Sequence, residues 1–162
     1  MKYGSLVLEK KDFVMIKRYQ LLTNYIEDYA HKDALDNLKE NMSNALIYDL
    51  EDMPDDIIRM YSYVTLSYES GWSENFQLVP PYENDIKNDK ISVQSTLGAS
   101  IIGLSEGDTL KYGLPVYIIA LTVQKVKQSE QYFKVVIPEK TFKDVLPKHN
   151  NNNNNNLISQ NS

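Results

Sequence analysis

The sequence predicts an α+β protein, in which two amphipathic helices precede an antiparallel sheet that carries one short helix. Three observations predict it. Apolar residues recur at helical spacing between positions 15 and 45, and at alternating spacing from position 60 onward. Tight-turn residues, rather than segments long enough for a crossover helix, separate most of the strands.

Taken in order, Leu6, Val7 and Leu8 suit a short strand, after which Asp12 is placed to cap a helix. Met15, Tyr19, Leu22, Ile26 and Tyr29 follow at intervals of 4, 3, 4 and 3. Leu35, Leu38, Met42 and Ala45 repeat the pattern, with Asp33 where an N-cap is needed and Asp36 three residues on. Two such stripes predict an antiparallel helical hairpin with a coiled-coil seam. At ~1.5 Å per residue, helices of roughly 14 to 16 residues make it only about 21 to 24 Å long.

An acidic hinge at 49–56 ends the hairpin, and Pro54 disfavours helix in the residue before it. Beyond it Met60, Ser62, Val64, Leu66 and Tyr68 share one strand face, with Tyr61, Tyr63, Thr65 and Ser67 on the other. A Glu69-Ser70-Gly71 turn leads into a returning strand over 72–79, with Trp72, Phe76 and Leu78 evenly spaced. Pro80-Pro81 stops it, and 82–88 reads as a turn or a single helical turn.

The stretch 90–108 combines a short strand at Ile91 and Val93, a polar turn at 94–96, a small-residue helix over 97–104 and a Gly107-Asp108 turn. It holds no nucleophile, base or metal-ligand set, so its expected job is to shape a docking surface. Strands are predicted at 109–112 and 116–126, joined by a Gly113-Leu114-Pro115 turn, and another at 132–137. The asparagine run 150–156 has no apolar side chains to offset ordering entropy and predicts a disordered tail. The expected domains are therefore a helical hairpin over 1–50, a sheet domain over 51–138 and an Asn-rich tail over 139–162.

Composition bounds the function. The absence of cysteine excludes a disulfide framework, thiolate zinc sites and cysteine catalysis together. No run approaches the roughly 20 apolar residues of a membrane span, and the N-terminus lacks the apolar core of a signal peptide, so a cytoplasmic protein is expected. The net charge of -5 conceals an asymmetry: residues 1–110 carry ten basic against nineteen acidic residues, while 111–148 carry seven lysines against three acids. The acidic part repels phosphate backbones, which disfavours direct DNA binding and makes a basic protein surface the better partner.

A gapped pattern over roughly 50–126 resembles the C-terminal domain of the bacterial transcript-cleavage Gre factors, and more closely the short Rnk-like members of that GreA/GreB family. It comprises Met53-Pro54-x-Asp56-Ile57-Ile58-x-Met60-x-Ser62-x-Val64, then Phe76-x-Leu78-Val79 with Glu83-x-Asp85-Ile86. Lys90-Ile91-Ser92-Val93-x-Ser95-x-Leu97-Gly98-Ala99 and Ile101-Ile102-Gly103-Leu104-x-x-Gly107-Asp108 complete it. The resemblance implies an FKBP-like fold, a coiled-coil hairpin before it, and RNA polymerase as partner, with the globular domain at the rim of the secondary channel. The family's docking turn, of Ser-x-Asp-Ser-Pro type, falls on Ser92, Gln94, Ser95 and Thr96, with Leu97 opening the helix behind it. Ser92 and Ser95 match, whereas Gln94 stands where Asp is frequent and Thr96 where Pro is usual.

Full Gre factors carry hairpin-tip acids that help hold Mg²⁺ in the polymerase. Glu27, Asp28 and Asp33, with His31 and Asp36, occupy the corresponding tip here. Carboxylate oxygens are the ligands Mg²⁺ needs. Against that role, Asp33 and Asp36 suit a helix start, and the hairpin is short for the channel. The aromatics Tyr61, Tyr63, Trp72, Phe76 and Tyr82 invite comparison with a prolyl-isomerase pocket, yet at strand spacing they serve the sheet's own faces better. The lysines at 125, 127, 134, 140, 143 and 148 read as a solvated edge. The expectation is a monomeric, non-enzymatic polymerase-binding regulator with no cofactor, no catalytic residue and no metal site. The alternatives are a cleavage factor using the tip acids, or a prolyl isomerase.

Overall fold

The computed structural model describes residues 1–22, 29–114 and 116–134. Strand β1 (Val7–Glu9) leads directly into helix α1 (Lys10–Leu22), followed by α2 (Tyr29–Met42) and β2 (Leu46–Tyr48). The sheet domain comprises β3 (Tyr63–Tyr68), β4 (Ser73–Val79), β5 (Lys90–Ser92), α3 (Thr96–Ile101), β6 (Thr109–Leu114) and β7 (Tyr117–Lys127). Among the described residues no helix is long and apolar enough to cross a membrane.

The helix starts differ from expectation. Glu9, not Asp12, caps α1: its carboxylate accepts from the backbone N–H groups of Lys11 (2.8 Å) and Asp12 (3.0 Å). Asp12 is buried and accepts instead from the backbone N–H of Met60 at 2.9 Å. Helix α2 begins at Tyr29, so Asp33 lies inside it and cannot be its N-cap.

Short β1 and β2 pair in parallel, an arrangement the two helices between them make possible. The main sheet has the order β5-β4-β3-β7-β6 and is antiparallel except for the β4–β5 pair. The result is an α+β fold with an antiparallel-rich sheet. The β3–β4 hairpin closes as read, with Gly71 at φ +87°, and β7 bulges where its register on β3 shifts. Trp72 departs from the expected inward face. It precedes β4, is 64% exposed, and lies against Tyr68 with ring centroids 5.3 Å apart.

Residues 132–134 form no strand, and the remainder of the strand expected at 132–137 lies outside the described residues. Phe133 instead buries itself edge-on against Tyr61, centroids 5.9 Å apart. That contact removes an aromatic side chain from water, which a solvated edge strand would not do.

One continuous core joins the N-terminal elements to the sheet. Leu6, Leu8, Phe13, Val14 and Ile16 pack in the same cluster as Val64, Leu66, Leu78, Ile101, Ile102 and Leu121. Helix α2 contributes Leu38 and Met42 of the predicted stripe, with Leu35 partly buried against the core, Ala45 buried just past the helix end and Ala34 added to the same face; its main neighbour is α3.

Candidate functional site

The turn ahead of α3 is built almost entirely from its own backbone and hydroxyls. The Ser92 carbonyl accepts both the Ser95 N–H (3.0 Å) and the Ser95 hydroxyl (2.6 Å). The Ser95 Oγ in turn accepts the Gly98 N–H at 3.0 Å and caps α3. The Ser92 Oγ accepts the Gln94 N–H at 3.0 Å, and the Ser100 hydroxyl donates to the Thr96 carbonyl at 2.7 Å. Gly98 is obligatory in this packing, since a Cβ there would stand 2.0 Å from the Ser92 carbonyl oxygen.

Groups outside the turn help to hold it in place. The Asn84 side chain accepts the Ser92 N–H at 2.9 Å, and the Val79 carbonyl accepts the Val93 N–H at 2.9 Å. From α2, the His31 Nε2 lies 2.8 Å from the Gln94 carbonyl oxygen. Val93 is buried beneath the turn, while Gln94, Ser95, Thr96 and Leu97 are half-buried, each with an edge open to solvent.

The neighbouring surface is apolar where a soluble loop need not be. Two single-turn 3₁₀ helices, Pro81–Glu83 and Ile86–Asn88, lead into β5 and expose Tyr82 (73%) and Ile86 (71%). The Tyr61 hydroxyl donates to Glu83 at 2.5 Å and fixes the first of them. Burial, followed by that bond to Glu83, raises the pKa of the Tyr61 hydroxyl above its ordinary value. Tyr61 itself adopts φ +72°, held by the Leu78 carbonyl on its N–H and by Gln77 Nε2 on its own carbonyl at 3.0 Å.

Of the predicted site residues, Ser92, Gln94 and Ser95 lie in this turn, while Thr96, expected in the turn, and Leu97 form the first residues of α3 behind it. Glu27 and Asp28 lie outside the described residues, and Asp33 is exposed on α2. Sequence reasoning missed Asn84 and the reach of His31, and placed Tyr82 only among the aromatics of the sheet's faces. Asn84 stood in an unspecified position between the matched Glu83 and Asp85, and His31 was read as a tip residue although it is buried against the turn. The five aromatics do not converge: Tyr61 and Phe76 are buried, whereas Tyr63, Trp72 and Tyr82 are exposed on different elements. In the acidic hinge, Asp49, Glu51 and Asp52 bring carboxylate oxygens within 4.8 Å of one another, all exposed to water.

The site is thus a helix-capping turn at the end of a short parallel edge strand, backed by the antiparallel sheet of an α+β fold. Residues 53–128 match the family described as "Transcription elongation factor, GreA/GreB, C-term". The chain is 38% identical over 82 residues to a transcription elongation factor GreA of Syntrophus aciditrophicus, covering 50% of this chain and 51% of that one. It is 29% identical over 102 residues to GreA of Brucella anthropi, covering 58% and 65% respectively. The chain thus spans between half and two thirds of the length of these curated relatives. A GreA/GreB elongation factor structure from Nitrosomonas europaea shares the fold, with a TM-score of 0.59 at 23% identity over 76% of this chain and 98% of that chain.

Proposed function

We propose that this protein binds RNA polymerase at the rim of its secondary channel and regulates transcription elongation by occupying it, without catalysis of its own. The observation that carries the reading is the preorganised 92–97 turn beside exposed Tyr82 and Ile86, in a domain that matches the GreA/GreB family. Because the Ser92 and Ser95 hydroxyls bond to the turn's own backbone, docking would cost little ordering entropy there. The two exposed apolar side chains supply area to bury. The decisive experiment is a binding titration of the full chain against core RNA polymerase. A 1:1 complex weakened by Ser92→Glu, Gln94→Glu or Ser95→Lys is expected; undiminished binding by all three sinks the assignment.

A second reading, a transcript-cleavage factor, assigns Mg²⁺-assisting roles to Glu27, Asp28 and Asp33. The helix lengths favour the first reading. Helices of 13 and 14 residues extend only about 20 Å each. Their buried side chains belong to the core shared with the sheet, so little length is left to project into a channel. Addition of the protein to a backtracked elongation complex separates the two, since only a cleavage factor shortens the transcript in a Mg²⁺-dependent way. The aromatic side chains, being dispersed, lend no support to prolyl isomerisation, and a proline-peptide assay at the uncatalysed rate is expected.

A further inference from the structure

The face of the sheet turned away from the core carries a groove of about 500 Å³ that the docking turn does not use. Strand register builds it. Tyr63 on β3 pairs with Lys127 on β7 and with Gln77 on β4, and Gln77 pairs with Lys90 on β5. The next row places Thr65 between Lys125 and Asn75. Directly opposed residues point to the same side of a sheet. A cation therefore stands at each end of the first row, with a tyrosine between them.

We propose that this groove binds single-stranded nucleic acid, with Tyr63 as the stacking surface for a base and Lys125 and Lys127 as contacts to successive phosphates. The two lysines are separated by one residue on the same strand and so lie about 6.6 Å apart along it, a spacing that suits neighbouring phosphates of an extended strand. Both are exposed, and Tyr63 is 47% exposed. In a chain with an excess of acids, the lining holds Lys90, Lys125 and Lys127 against the single acid Asp89. Thr65 donates to the Asn75 side-chain oxygen at 2.6 Å and fixes that amide beside the ring, where a base edge would lie. A basic groove with an aromatic platform is the arrangement by which proteins hold unpaired strands, whereas a duplex keeps its base faces stacked and offers none to Tyr63. An acidic peptide would use the lysines but gain nothing specific from the ring.

The test is fluorescence anisotropy of the full chain with a labelled single-stranded RNA of about ten nucleotides. A duplex of the same sequence and a labelled oligoglutamate of equal charge serve as competing probes. The single strand is expected to bind with an affinity that falls as salt rises. Tyr63→Leu should weaken binding about tenfold with the salt dependence kept, while Tyr63→Phe retains it. Lys125→Glu combined with Lys127→Glu should remove most of the binding and flatten the salt dependence. All three positions are exposed, and unchanged thermal midpoints verify folding. The proposal is overturned if the wild-type chain does not bind the strand at low salt, or if Tyr63→Leu and the lysine pair bind as well as wild type. Tighter binding of the duplex or of oligoglutamate, indifferent to Tyr63, overturns it equally. No polymerase enters the assay, so its outcome is independent of the channel-docking reading.

Discussion

The His31 imidazole of α2 stands 2.8 Å from the Gln94 carbonyl oxygen, tying a helix of the N-terminal segment to the turn that precedes α3. The contact joins residues 63 positions apart. It makes the orientation of α2 and the shape of the turn one mechanical unit. Replacing His31 by Ala removes a hydrogen bond worth about 1 kcal/mol and the buried ring around it. Loss of about 1–3 kcal/mol of stability in a urea titration is expected, with weaker polymerase binding than the stability loss alone explains.

Gly98 provides a sharper test of the same turn. An alanine Cβ would meet the Ser92 carbonyl oxygen at 2.0 Å, and the obstacle is backbone rather than a movable side chain. Gly98→Ala should therefore cost about 3 kcal/mol or more. Because relief requires α3 to move off β5, the proposed polymerase binding should be lost even at temperatures where the chain remains folded, which circular dichroism and binding together would show.

Asp12 sets a pH dependence that acidic surface residues do not. Burial, followed by the charge of Glu9, pushes its carboxyl up to about 7 from an ordinary value of 3.8. The folded state therefore holds a proton that the unfolded chain releases between those values. The contribution of Asp12 to stability is fully present below about pH 4 and is lost as pH rises through 7. The raised Glu9 carboxyl, for which burial is again the largest cause, acts in the same direction. Asp12→Asn keeps an acceptor for the Met60 N–H and cannot ionise, so it should be more stable than wild type at pH 8 by on the order of 2–4 kcal/mol. Most of that difference should vanish at pH 4.5. A pH series of thermal midpoints for both chains measures it.

What could be read from the sequence followed the strength of its periodicity. The alternation of Val64 and Leu66, the Gly71 turn and the return through Phe76 and Leu78 specified β3 and β4 closely. The turn ahead of α3 was legible from its polar run between Val93 and Leu97, but its cap was not: Ser95 accepts the Gly98 N–H and starts the helix at Thr96, one residue earlier than expected. Long-range choices were not legible. Asp12 has the chemistry of a cap, and only the fold shows that Glu9 reaches the helix N–H groups first while Asp12 is drawn to Met60. The second strand of the β1–β2 pair escaped detection because three residues, Leu46 to Tyr48, show no periodicity of their own.

Tyr82 and Ile86 separate a binding role from a folding role. Both side chains are more than two-thirds exposed, on 3₁₀ turns whose positions are fixed by other groups, Glu83 by Tyr61 and Asp85 by Asn88. Surface changes away from caps and cores usually alter stability by no more than about 0.5 kcal/mol. Tyr82→Ser and Ile86→Ser together should therefore leave the urea midpoint nearly unchanged. Full burial of such a side chain is worth about 1.5–3 kcal/mol, so if about half of each buries against polymerase, the pair should weaken the complex by roughly tenfold to a hundredfold. Measured beside Gln94→Glu, the double variant also locates the contact. Losses from both place the partner across the turn and the two 3₁₀ helices, whereas a loss from Gln94→Glu alone confines it to the turn.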